Sequence, residues 1–369
     1  MKILYIVSTL ANSGPTNQLY NIVTNLNRDI YEPSILTLSP ERTDTQILDF
    51  LNAGITVESL NLSRVKGIYR APLDLKEKLK QINPSVVHTQ GIRADTLSAK
   101  HIKNYNKVCT LRNYPYEDYL MKFGWIKGNI MAKQHMKSIE KIGQAVACSQ
   151  SLAEIFKSNH NLSLNYIQNG VNTNLYTKSS EEEKIFYRKK LNLPLNKKLF
   201  ISVGALIKRK DPLTIINAFN NINNKEDIGL IIVGDGVLKQ QCKETSGANK
   251  EIYFTGQIDH VDEYLKAADY FISSSLSEGL PNTVLEALSV GLPCLLSNIN
   301  QHKEILNLRE DAGVLVEKGD IEGFTKAIKK MKNQNYDKLS DSARSIIDSH
   351  LSAEIMSKKY QDLYQQLVK

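Results

Sequence analysis

The sequence predicts an α/β protein built from two doubly wound domains that face a central cleft. Short apolar runs alternate with amphipathic stretches, this alternation occurs in both halves, and 369 residues are enough for two domains. Strands that alternate with helices form parallel sheets with crossover helices. Ligands bind such sheets beyond the carboxyl ends of the strands, so we expect the functional residues there.

Seven short runs in the first half predict strands or strand ends: KILYIVSTL, PSILTLS, ITVESL, SVVHTQ, KVCTLR, QAVACS and NYIQNG. Helical spacing of apolar residues predicts helices over NQLYNIVTNLN, DTQILDFLNAG, DLKEKLKQIN and MAKQHMKSIEKIG. The N-terminal run resembles a weak signal peptide, but its shortness and the turn after it favour a buried first strand. The first domain is predicted to span residues 1–168.

The second half repeats the pattern, with strands predicted for LFISVGAL, IGLIIVGD, EIYFTG, YFISSS and PCLLSN. Helices are predicted for PLTIINAFNNI, VLKQQCKETS, VDEYLKAA and TVLEALSVG. The crossing between the halves is predicted at Asn169-Gly170-Val171. The second domain then spans residues 169–345, and a C-terminal helical segment spans residues 346–369.

The net charge of +8 lies entirely in the first half of the chain. Residues 1–180 contain 21 Lys and Arg against 13 Asp and Glu, whereas residues 181–369 contain 26 of each. A basic half can face anionic lipid, nucleic acid or a phosphorylated substrate. The sequence lacks zinc-finger spacing, an aromatic RNA-binding pattern and a basic heptad array, which argues against nucleic acid.

The four cysteines (Cys109, Cys148, Cys242 and Cys294) form no C-x-x-C pair and show no metal-binding spacing. We therefore expect buried free thiols rather than disulfides or a zinc site. Free thiols fit a reducing cytosol and predict a cytoplasmic protein. No segment approaches the ~20 apolar residues that a membrane-spanning helix requires.

The stretch SEGLPNTVLEAL, residues 277–288, predicts a ligand site at a helix start. Pro281 suits a first helical turn, and Gly279 permits a backbone conformation that other residues resist. Glu278 then lies on the loop and Glu286 lies about one turn into the helix. Free amides and the positive end of the helix dipole attract an anion, and the two carboxylates can hold hydroxyl groups, so a sugar nucleotide fits. The alternative is a surface helix with two solvated glutamates.

This stretch, extended to SEGLPNTVLEALSVGLP, resembles the E-x7-E signature of the family-four retaining glycosyltransferases, which have the GT-B fold of two Rossmann-like domains. Segments that match the same family in the correct order are NYIQNGVNTNLY, VGALIKRKDP, VGDGVLKQ, IYFTG, YLKAADYFISSS and NINQHKEIL. The match covers nearly all of residues 165–317, and the first half matches in outline. The resemblance implies an acceptor-binding first domain, a donor-binding second domain and a last helix, near Ala353 to Leu367, that returns to the first domain.

The resemblance also implies roles for single residues. Glu286 would bind the ribose of the donor nucleotide, and Glu278 would hold hydroxyl groups of the transferred sugar. Lys210, six positions after Gly204 in the same loop, would stabilise the charge of a departing nucleoside diphosphate, with Arg209 as a weaker second cation. For both cations the alternative is a solvated turn. The helix start that would face the pyrophosphate comprises Gly279, Leu280, Pro281, Asn282 and Thr283.

Several positions depart from the family pattern or remain open. Ala205 replaces a common arginine, and Ser13 replaces one of two loop glycines, although Gly14 still allows a phosphate to approach. Arg112 replaces a histidine; it cannot act as a base at neutral pH but can clamp a phosphate or carboxylate, which predicts an anionic acceptor or stabilisation of the leaving group. A surface or structural arginine is the alternative. His88 falls on a family histidine position, and a hydrogen-bonded core histidine is the alternative.

Taken together, the sequence predicts a retaining glycosyltransferase that moves a sugar from a UDP-linked donor to a glycan or lipid-linked glycan acceptor. Bacterial surface-polysaccharide biosynthesis is the setting that the resemblance implies. No D-x-D triplet occurs, so we expect a transfer without a metal or other cofactor. A nucleotide-sugar 2-epimerase of the same fold is an alternative, but its signature is not found. A non-catalytic nucleotide-sugar sensor is another, slightly supported by Ala205 and Arg112.

Residues 119–143, YLMKFGWIKGNIMAKQHMKSIEKIG, carry five lysines and one glutamate and include Trp125, the only tryptophan. Aromatic residues beside lysines are typical of a surface at a lipid interface. We therefore predict peripheral attachment to the anionic inner face of a membrane through this segment. The alternative is that its apolar side chains belong to the core and its lysines to a solvated helix face.

Overall fold

The computed structural model describes residues 1–222 and 227–369, which form two compact units. The first unit comprises Met1–Gly170 and Ala353–Lys369, and the second comprises Val171–Ser352. The boundary between the two units, after Gly170, lies within the stretch Asn169-Gly170-Val171 where the crossing between the halves was predicted. The second unit extends past residue 345 because the Val171 amide donates a 3.0 Å hydrogen bond to the Leu351 carbonyl.

The first unit is built on a parallel sheet of seven strands in the order β3-β2-β1-β4-β5-β6-β7. The strands are β1 (Lys2–Val7), β2 (Glu32–Thr37), β3 (Thr56–Ser59), β4 (Val86–Gln90), β5 (Asn106–Leu111), β6 (Ala145–Ala147) and β7 (Asn165–Tyr166). The helices are α1 (Gly14–Thr24), α2 (Ile47–Asn52), α3 (Arg64–Ile82), α4 (Ile92–His101), α5 (Pro115–Phe123), α6 (Trp125–Ile142) and α7 (Gln150–His160). Each of the seven predicted runs contains a strand, whereas α4, α5 and α7 are additional to the predicted helices.

The second unit is built on a parallel sheet of six strands in the order β10-β9-β8-β11-β12-β13. The strands are β8 (Lys198–Val203), β9 (Ile228–Val233), β10 (Ile252–Gly256), β11 (Tyr270–Ser273), β12 (Cys294–Ser297) and β13 (Gly313–Val316). The helices are α8 (Glu181–Lys190), α9 (Pro212–Asn220), α10 (Lys239–Ser246), α11 (Val261–Ala267), α12 (Asn282–Ser289), α13 (Asn300–Leu306), α14 (Ile321–Lys332) and α15 (Tyr336–Ile346). Short 3₁₀ turns lie at Lys208–Lys210 and Glu310–Ala312, and a π-helical turn lies at Ile347–Leu351. The predicted elements do not include β13, α8, α13, α14 or α15.

The first strand, β1, is a continuous apolar run because its side chains are buried on both faces of the sheet. Side chains alternate between the two faces of a pleated sheet, and both faces of this sheet are covered. Ile3 and Tyr5 join a core cluster on one face, and Leu4 and Ile6 join a cluster with Leu75 on the other. The expectation of a buried first strand is thus confirmed.

The last helix, α16 (Ala353–Val368), belongs to the first unit and is held there by buried polar groups. The Tyr364 hydroxyl forms hydrogen bonds with His88 Nδ1 at 2.7 Å and with the Tyr5 hydroxyl at 3.0 Å. The Thr110 hydroxyl bonds both His88 Nε2 and the Tyr360 hydroxyl, each at 2.8 Å. These side chains are almost fully buried, so every bond compensates for a lost contact with water.

The cysteine prediction is confirmed, because all four cysteines are buried and unpaired by disulfides. Among residues 1–222 and 227–369, no helix has the length and apolar character needed to cross a membrane.

Candidate functional site

Each sheet reverses its strand order at one point, which is where open α/β sheets bind ligands. The reversal lies between β1 and β4 in the first unit and between β8 and β11 in the second. The loops after β8 and β11 contain Gly204, Lys210 and Glu278; Arg112 directly follows β5, and Gly14 begins the helix that follows the β1 loop. Most predicted site residues therefore occupy the ligand-binding edge of their own sheet.

Glycines allow two loops of the second unit to approach closely. Gly204 has a φ of +154° and Gly234 has a φ of +139°, both in the region that favours glycine. A Cβ atom at Gly234 would lie 2.0 Å from the Gly204 carbonyl oxygen, so only glycine fits there. A Cβ atom at Gly204 would lie 3.4 Å from the Lys210 side chain. That distance is an ordinary contact, so it is the positive φ of Gly204 that favours glycine there.

The loops after β8 and β11 are also joined by direct hydrogen bonds. The Leu276 amide donates to the Arg209 carbonyl at 2.8 Å, and the Ser274 hydroxyl donates to the Asp211 carbonyl at 2.6 Å. Arg209 Nη1 donates to the Ser277 carbonyl at 2.7 Å. These bonds fix the segment that leads into α12 relative to the cationic loop.

Glu278 is buried and accepts charge-assisted hydrogen bonds from two cations. Lys210 Nζ lies 2.6 Å from Glu278 Oε1, and Arg209 Nη1 lies 2.7 Å from Glu278 Oε2. Burial alone would raise the pKa of Glu278, but the charges of Lys210 and Arg209 outweigh it and lower the pKa to about 2. The cluster therefore keeps a fixed carboxylate beside two positive charges, and neither the solvated-turn alternative nor a solvated Glu278 describes it.

Glu286 has the opposite electrostatic environment. It is half-buried on α12, and no hydrogen bond or ion pair engages its carboxyl group in the described part of the chain. Burial raises the pKa of Glu286 to about 7, although the charge of Lys210 partly opposes this shift. Lys210 therefore acts electrostatically on both glutamates of the signature, as expected if they share one site.

The start of α12 follows the predicted pattern. The helix begins at Asn282, and Pro281 precedes it in an extended conformation. Gly279 and Leu280 lie between Glu278 and the helix, and Thr283 lies in its first turn. The backbone amides of a first turn have no intrahelical acceptor, so this end of α12 suits an anionic ligand.

Two residues at this site were missed by sequence reasoning. Tyr176 lies close enough to Glu286 for that carboxylate to help raise the tyrosine pKa, after the larger effect of burial. His302 is fully buried; its Nδ1 bonds the Ser297 carbonyl at 2.8 Å and its Nε2 has no recorded partner among the described residues. Burial lowers the pKa of His302 to about 4, so the ring stays neutral and Nε2 can accept a hydrogen bond. His302 lies in NINQHKEIL, which the resemblance had already singled out.

The first unit has its own cavity of about 310 Å³ at the ligand-binding edge of the seven-stranded sheet. It is lined by residues after β1, β4 and β5, and by side chains of α5 and α6; those used below are Gln90, Arg112, Asp118, Tyr119, Lys122 and His135. Ser13, the residue that departs from the glycine pattern, has an extended conformation and caps α1, of which Gly14 is the first residue. The departure therefore causes no backbone strain.

Arg112 lies in the cavity wall, and its guanidinium group is already hydrogen-bonded to other residues of the protein. Its Nε donates to Gln90 Oε1 at 3.0 Å, and its Nη1 donates to Asn169 Oδ1 at 2.5 Å. Its buried Nη2 has no hydrogen-bond partner in the described ranges. The open bidentate clamp expected from the sequence is therefore not observed, because two of the three guanidinium nitrogens already donate to protein acceptors.

His88 lies in β4 beneath α16, and it does not line the cavity. Both of its ring nitrogens have the partners described above, and burial, helped by the charge of Arg112, lowers its pKa to about 3. The hydrogen-bonded core histidine, which was the alternative for this residue, describes its environment.

The segment 119–143 is divided between surface and core. Trp125 is 75% exposed and Ile126 is 71% exposed, and Ile130 is also exposed, whereas Met136 and Ile139 are buried. The alternative that its apolar residues belong to the core therefore does not describe its first half. Met121 and Phe123 extend the exposed apolar surface onto α5.

Comparison with solved structures identifies the fold. The chain superimposes on Anabaena Alr3699/HepE in complex with UDP-glucose with a TM-score of 0.81 at 16% identity, covering 99% of this chain and 100% of that one. It is also similar to a glycosyltransferase from Rickettsia africae, with a TM-score of 0.80 at 18% identity and coverage of 100% and 98%. The two parallel-sheet units are those of a GT-B glycosyltransferase.

Sequence comparison identifies the family. The model described as "Glycosyltransferase Family 4" matches residues 12–175, and the model described as "Glycosyl transferases group 1" matches residues 183–347. The chain belongs to the glycosyltransferases of family 4. It is 26% identical to the O-antigen biosynthesis glycosyltransferase WclY of Escherichia coli, over 100% of this chain and 99% of that protein. An Escherichia coli UDP-Gal:alpha-D-GlcNAc-diphosphoundecaprenol alpha-1,3-galactosyltransferase is 32% identical over 56% of this chain and 55% of its own length.

Proposed function

We propose that this glycosyltransferase takes a sugar from a UDP-linked donor with retention of anomeric configuration and transfers it to a lipid-linked glycan. The observation that carries the proposal is the cluster of Glu278, Lys210 and Arg209 beside the unengaged carboxyl of Glu286. Surface-polysaccharide assembly is the setting suggested by the names of the relatives.

The donor is proposed to bind at the edge of the second unit where β8 and β11 adjoin. Glu286 accepts hydrogen bonds from the ribose, and the start of α12 receives the pyrophosphate. Lys210 and Arg209 face the diphosphate, while Glu278, held by both cations, accepts hydrogen bonds from hydroxyls of the transferred sugar. HepE was crystallised with UDP-glucose, which supports the choice of nucleotide.

The proposed transfer occurs on one face of the sugar. The bond from the anomeric carbon to the diphosphate oxygen breaks with its electron pair going to the diphosphate, and the acceptor oxygen bonds to that carbon from the same side. The departing phosphate oxygen takes the acceptor proton, so the step needs no strong protein base. Lys210 and Arg209 stabilise the charge that develops on the diphosphate, which is the role that a metal ion has in other transferases.

The acceptor is proposed to bind in the cavity of the first unit. Arg112 Nη2 offers a buried N–H group to an anion such as a phosphate of a lipid-linked glycan. The galactosyltransferase relative acts on a diphosphoundecaprenol-linked sugar, which supports this acceptor class. The excess positive charge of the first half favours the same substrate.

Two exposed apolar stripes of the first unit support attachment to a membrane. One is formed by Trp125, Ile126 and Ile130 at the start of α6. The other, which the sequence did not suggest, lies in the first half of α3 and comprises Val65, Ile68, Tyr69 and Leu73. Helix α3 directly follows β3 and so begins at the ligand-binding edge of the sheet, whereas α6 follows α5. A lipid-linked acceptor could then remain in the bilayer while its sugar enters the cavity.

The direct test is a panel of nucleotide sugars incubated with and without α-D-GlcNAc-diphosphoundecaprenol. We expect release of UDP from one UDP-sugar, and a product whose anomeric configuration, measured by NMR, equals that of the donor. An inverted product would refute retention. Conversion of the donor to its 2-epimer would favour the epimerase, and binding of a nucleotide sugar without any turnover would favour the sensor.

The same assay tests the independence from metals. Because Lys210 and Arg209 supply the positive charge, EDTA should leave the rate within about twofold of the untreated enzyme. Loss of activity with EDTA that Mg²⁺ or Mn²⁺ restores would contradict this expectation.

A further inference from the structure

A line of hydrogen bonds connects the interior of the first unit with its cavity. The Thr89 hydroxyl donates to Asp95 Oδ1 at 2.5 Å, and His135 Nε2 lies 2.8 Å from Asp95 Oδ2. The Tyr119 hydroxyl lies 2.8 Å from His135 Nδ1. Asp95 is 0% exposed and His135 is 4% exposed, whereas Tyr119 is half-buried and lines the cavity together with His135. The four residues come from β4, α4, α5 and α6, so the tertiary fold alone brings them together.

The buried Asp95 carboxylate determines which atoms of His135 and Tyr119 donate protons in these hydrogen bonds. The carboxylate of Asp95 accepts hydrogen bonds, so His135 Nε2 must carry the proton that it donates. In a neutral imidazole Nδ1 is then an acceptor, and the Tyr119 hydroxyl gives its only proton to it. Burial raises the pKa of Tyr119 and keeps that hydroxyl protonated. The Tyr119 oxygen therefore offers lone pairs to the cavity.

This polarity is opposite to that of Arg112, which lines the same cavity and carries N–H donors but no acceptor. A lone pair selects a ligand that donates a hydrogen bond, such as a sugar hydroxyl, and an N–H group selects an anion. Asp118, another oxygen acceptor on the cavity wall, is already paired with Lys122 at 2.9 Å. Within the described residues, His135 is the single recorded partner of the Tyr119 hydroxyl, so the oxygen can accept a bond from a ligand.

From this arrangement we infer that Tyr119 binds a hydroxyl group of the sugar acceptor, and that Asp95 and His135 are positioning residues that hold the tyrosine as a hydrogen-bond acceptor. This inference rests on the proposed function, because it assigns the acceptor to the cavity of the first unit. It also predicts the specificity for the acceptor, which must place a hydroxyl group against Tyr119 and an anionic group against Arg112. An acceptor that lacks the hydroxyl loses one hydrogen bond, and an uncharged acceptor leaves Arg112 Nη2 without a partner.

The first unit also offers a matched control. The Tyr114 hydroxyl lies 2.8 Å from His160 Nε2, which is the same kind of pair at the same distance. Tyr114 and His160 are not among the residues that line the cavity. Replacing either tyrosine with phenylalanine removes one hydroxyl bonded to a histidine, but only Tyr119→Phe removes it from the cavity.

The first experiment compares sugar transfer to α-D-GlcNAc-diphosphoundecaprenol with hydrolysis of the donor by water in the same reaction. Tyr119→Phe should lower the ratio of transfer to hydrolysis about three- to tenfold, mainly through a higher KM for the acceptor, as expected for one lost hydrogen bond. Tyr114→Phe should leave that ratio at the wild-type value. An equal effect of the two substitutions, or no effect of Tyr119→Phe, would overturn the inference.

A double substitution tests whether His135 acts through the tyrosine. His135→Gln should lower the ratio by a similar factor in the wild-type background and by little in the Tyr119→Phe background. A purely structural role for His135 would instead lower transfer and hydrolysis together in both backgrounds.

The second experiment needs no substrate and decides the inference even if the chosen acceptor is not used. Nitrogen-15 NMR of the histidine rings at pH 7.5 reports which nitrogen carries the proton, with His135 assigned by its absence in His135→Gln. A neutral ring protonated at Nε2 supports the inference; a ring protonated at Nδ1 or at both nitrogens overturns it, since Tyr119 would then turn its proton to the cavity. If no nucleotide sugar releases UDP, the proposed function fails, and the NMR result still stands on its own.

Discussion

At the scale of single residues, the two glutamates of SEGLPNTVLEAL show how different environments give identical side chains different pKa values. Glu278 contacts Lys210 and Arg209, and its pKa falls to about 2. Glu286, eight positions later, has no such partner, and burial raises its pKa to about 7. Near neutral pH the first is a fixed carboxylate, and the second exchanges a proton. The proposed ribose contact of Glu286 should therefore depend on pH.

Donor affinity is predicted to fall below about pH 7. In the free protein the carboxyl of Glu286 is protonated below that pH, and a carboxylate that accepts hydrogen bonds from ribose must first lose its proton. Affinity should then fall about tenfold for each pH unit below 7. Calorimetry with UDP-glucose is suitable because each phosphate of its disubstituted diphosphate has a single, strongly acidic hydroxyl group that stays ionised in this range.

Two variants of Glu286 provide the controls. Glu286→Gln should give a flat pH profile, since the amide does not titrate. Glu286→Ala should weaken binding about ten- to a hundredfold at pH 8, as expected for a lost hydrogen bond to a charged group. Wild-type affinity that is constant from pH 5.5 to 8 would contradict the assignment.

Lys210 is predicted to stabilise the leaving diphosphate. Lys210→Ala removes one of two cations from Glu278 and from the donor, while Arg209 retains its own bond to Glu278. We expect kcat to fall on the order of a hundredfold, as for removal of one preorganised donor from a transition state. Lys208→Ala, which changes an exposed lysine of the same turn, is the matched control and should retain wild-type kcat. Equal turnover of Lys210→Ala and wild type would refute the role.

At the scale of secondary-structure elements, the pair α5–α6 explains why the segment 119–143 is only partly core. A Cβ atom at Gly128 would lie 2.7 Å from the Leu120 backbone, so the two helices touch there. Beyond this contact the first turns of α6 expose Trp125 and Ile126, whereas later turns pack on the sheet and on α4. The exposed part combines apolar side chains with lysines, as an interfacial helix does.

We predict that this surface binds anionic vesicles. Trp125 is the only tryptophan, so a blue shift of its emission reports directly on insertion of the α6 stripe. Binding should decrease with salt and should weaken on the order of a hundredfold when Lys122, Lys127 and Lys133 are changed to glutamate, at about 1 kcal/mol for each lysine.

The control reverses the same number of charges on the second unit, at the exposed residues Lys243, Lys326 and Lys330. This variant should bind vesicles as the wild type does. If the wild-type emission does not shift with strongly anionic vesicles at low salt, the membrane surface is wrong and a water-soluble acceptor becomes the better hypothesis.

At the scale of the whole molecule, the chain leaves the first unit at Gly170 and returns to it at Ala353. The return depends on polar contacts of α16, because Tyr364 and Tyr360 reach the neutral ring of His88 directly and through Thr110. A protonated ring would lose its acceptor nitrogen and would place a charge in the core.

The docking of α16 is predicted to weaken in acid. The pKa of His88 is lowered to about 3 in the folded protein, against an ordinary value of 6.5, so the unfolded segment binds the extra proton. Stability from this residue is complete above about pH 6.5 and decreases toward pH 3, by up to ~1.4 kcal/mol per pH unit. Hydrogen exchange of the α16 amides should therefore accelerate below pH 6.5.

His88→Gln separates this effect from other acid-sensitive groups. Glutamine still offers a hydrogen bond to Tyr364 but does not titrate, so exchange in α16 should depend less steeply on pH in this variant. Identical pH dependence in variant and wild type would show that His88 does not control the docking.

The sequence by itself determined the local features of this protein. In the described ranges 1–222 and 227–369, apolar runs identified twelve of the thirteen strands and missed β13, a four-residue strand in the run AGVLVEK. Pattern also located the start of α12 correctly, because a helix start is a property of a few consecutive residues. The α3 helix was predicted too short, since Pro72 in its interior favours a helix end in sequence reasoning.

The tertiary structure alone decided which side chains meet. His88 contacts Tyr364 at a separation of 276 residues, Arg209 reaches Glu278 across 69 residues, and Tyr119, His135 and Asp95 come from three helices. Such pairings depend on strand order and on the packing of crossover helices, which residue periodicity does not encode. For the same reason Arg112 was predicted as an open clamp, although the folded chain supplies acceptors for two of its three nitrogens and leaves one for a ligand.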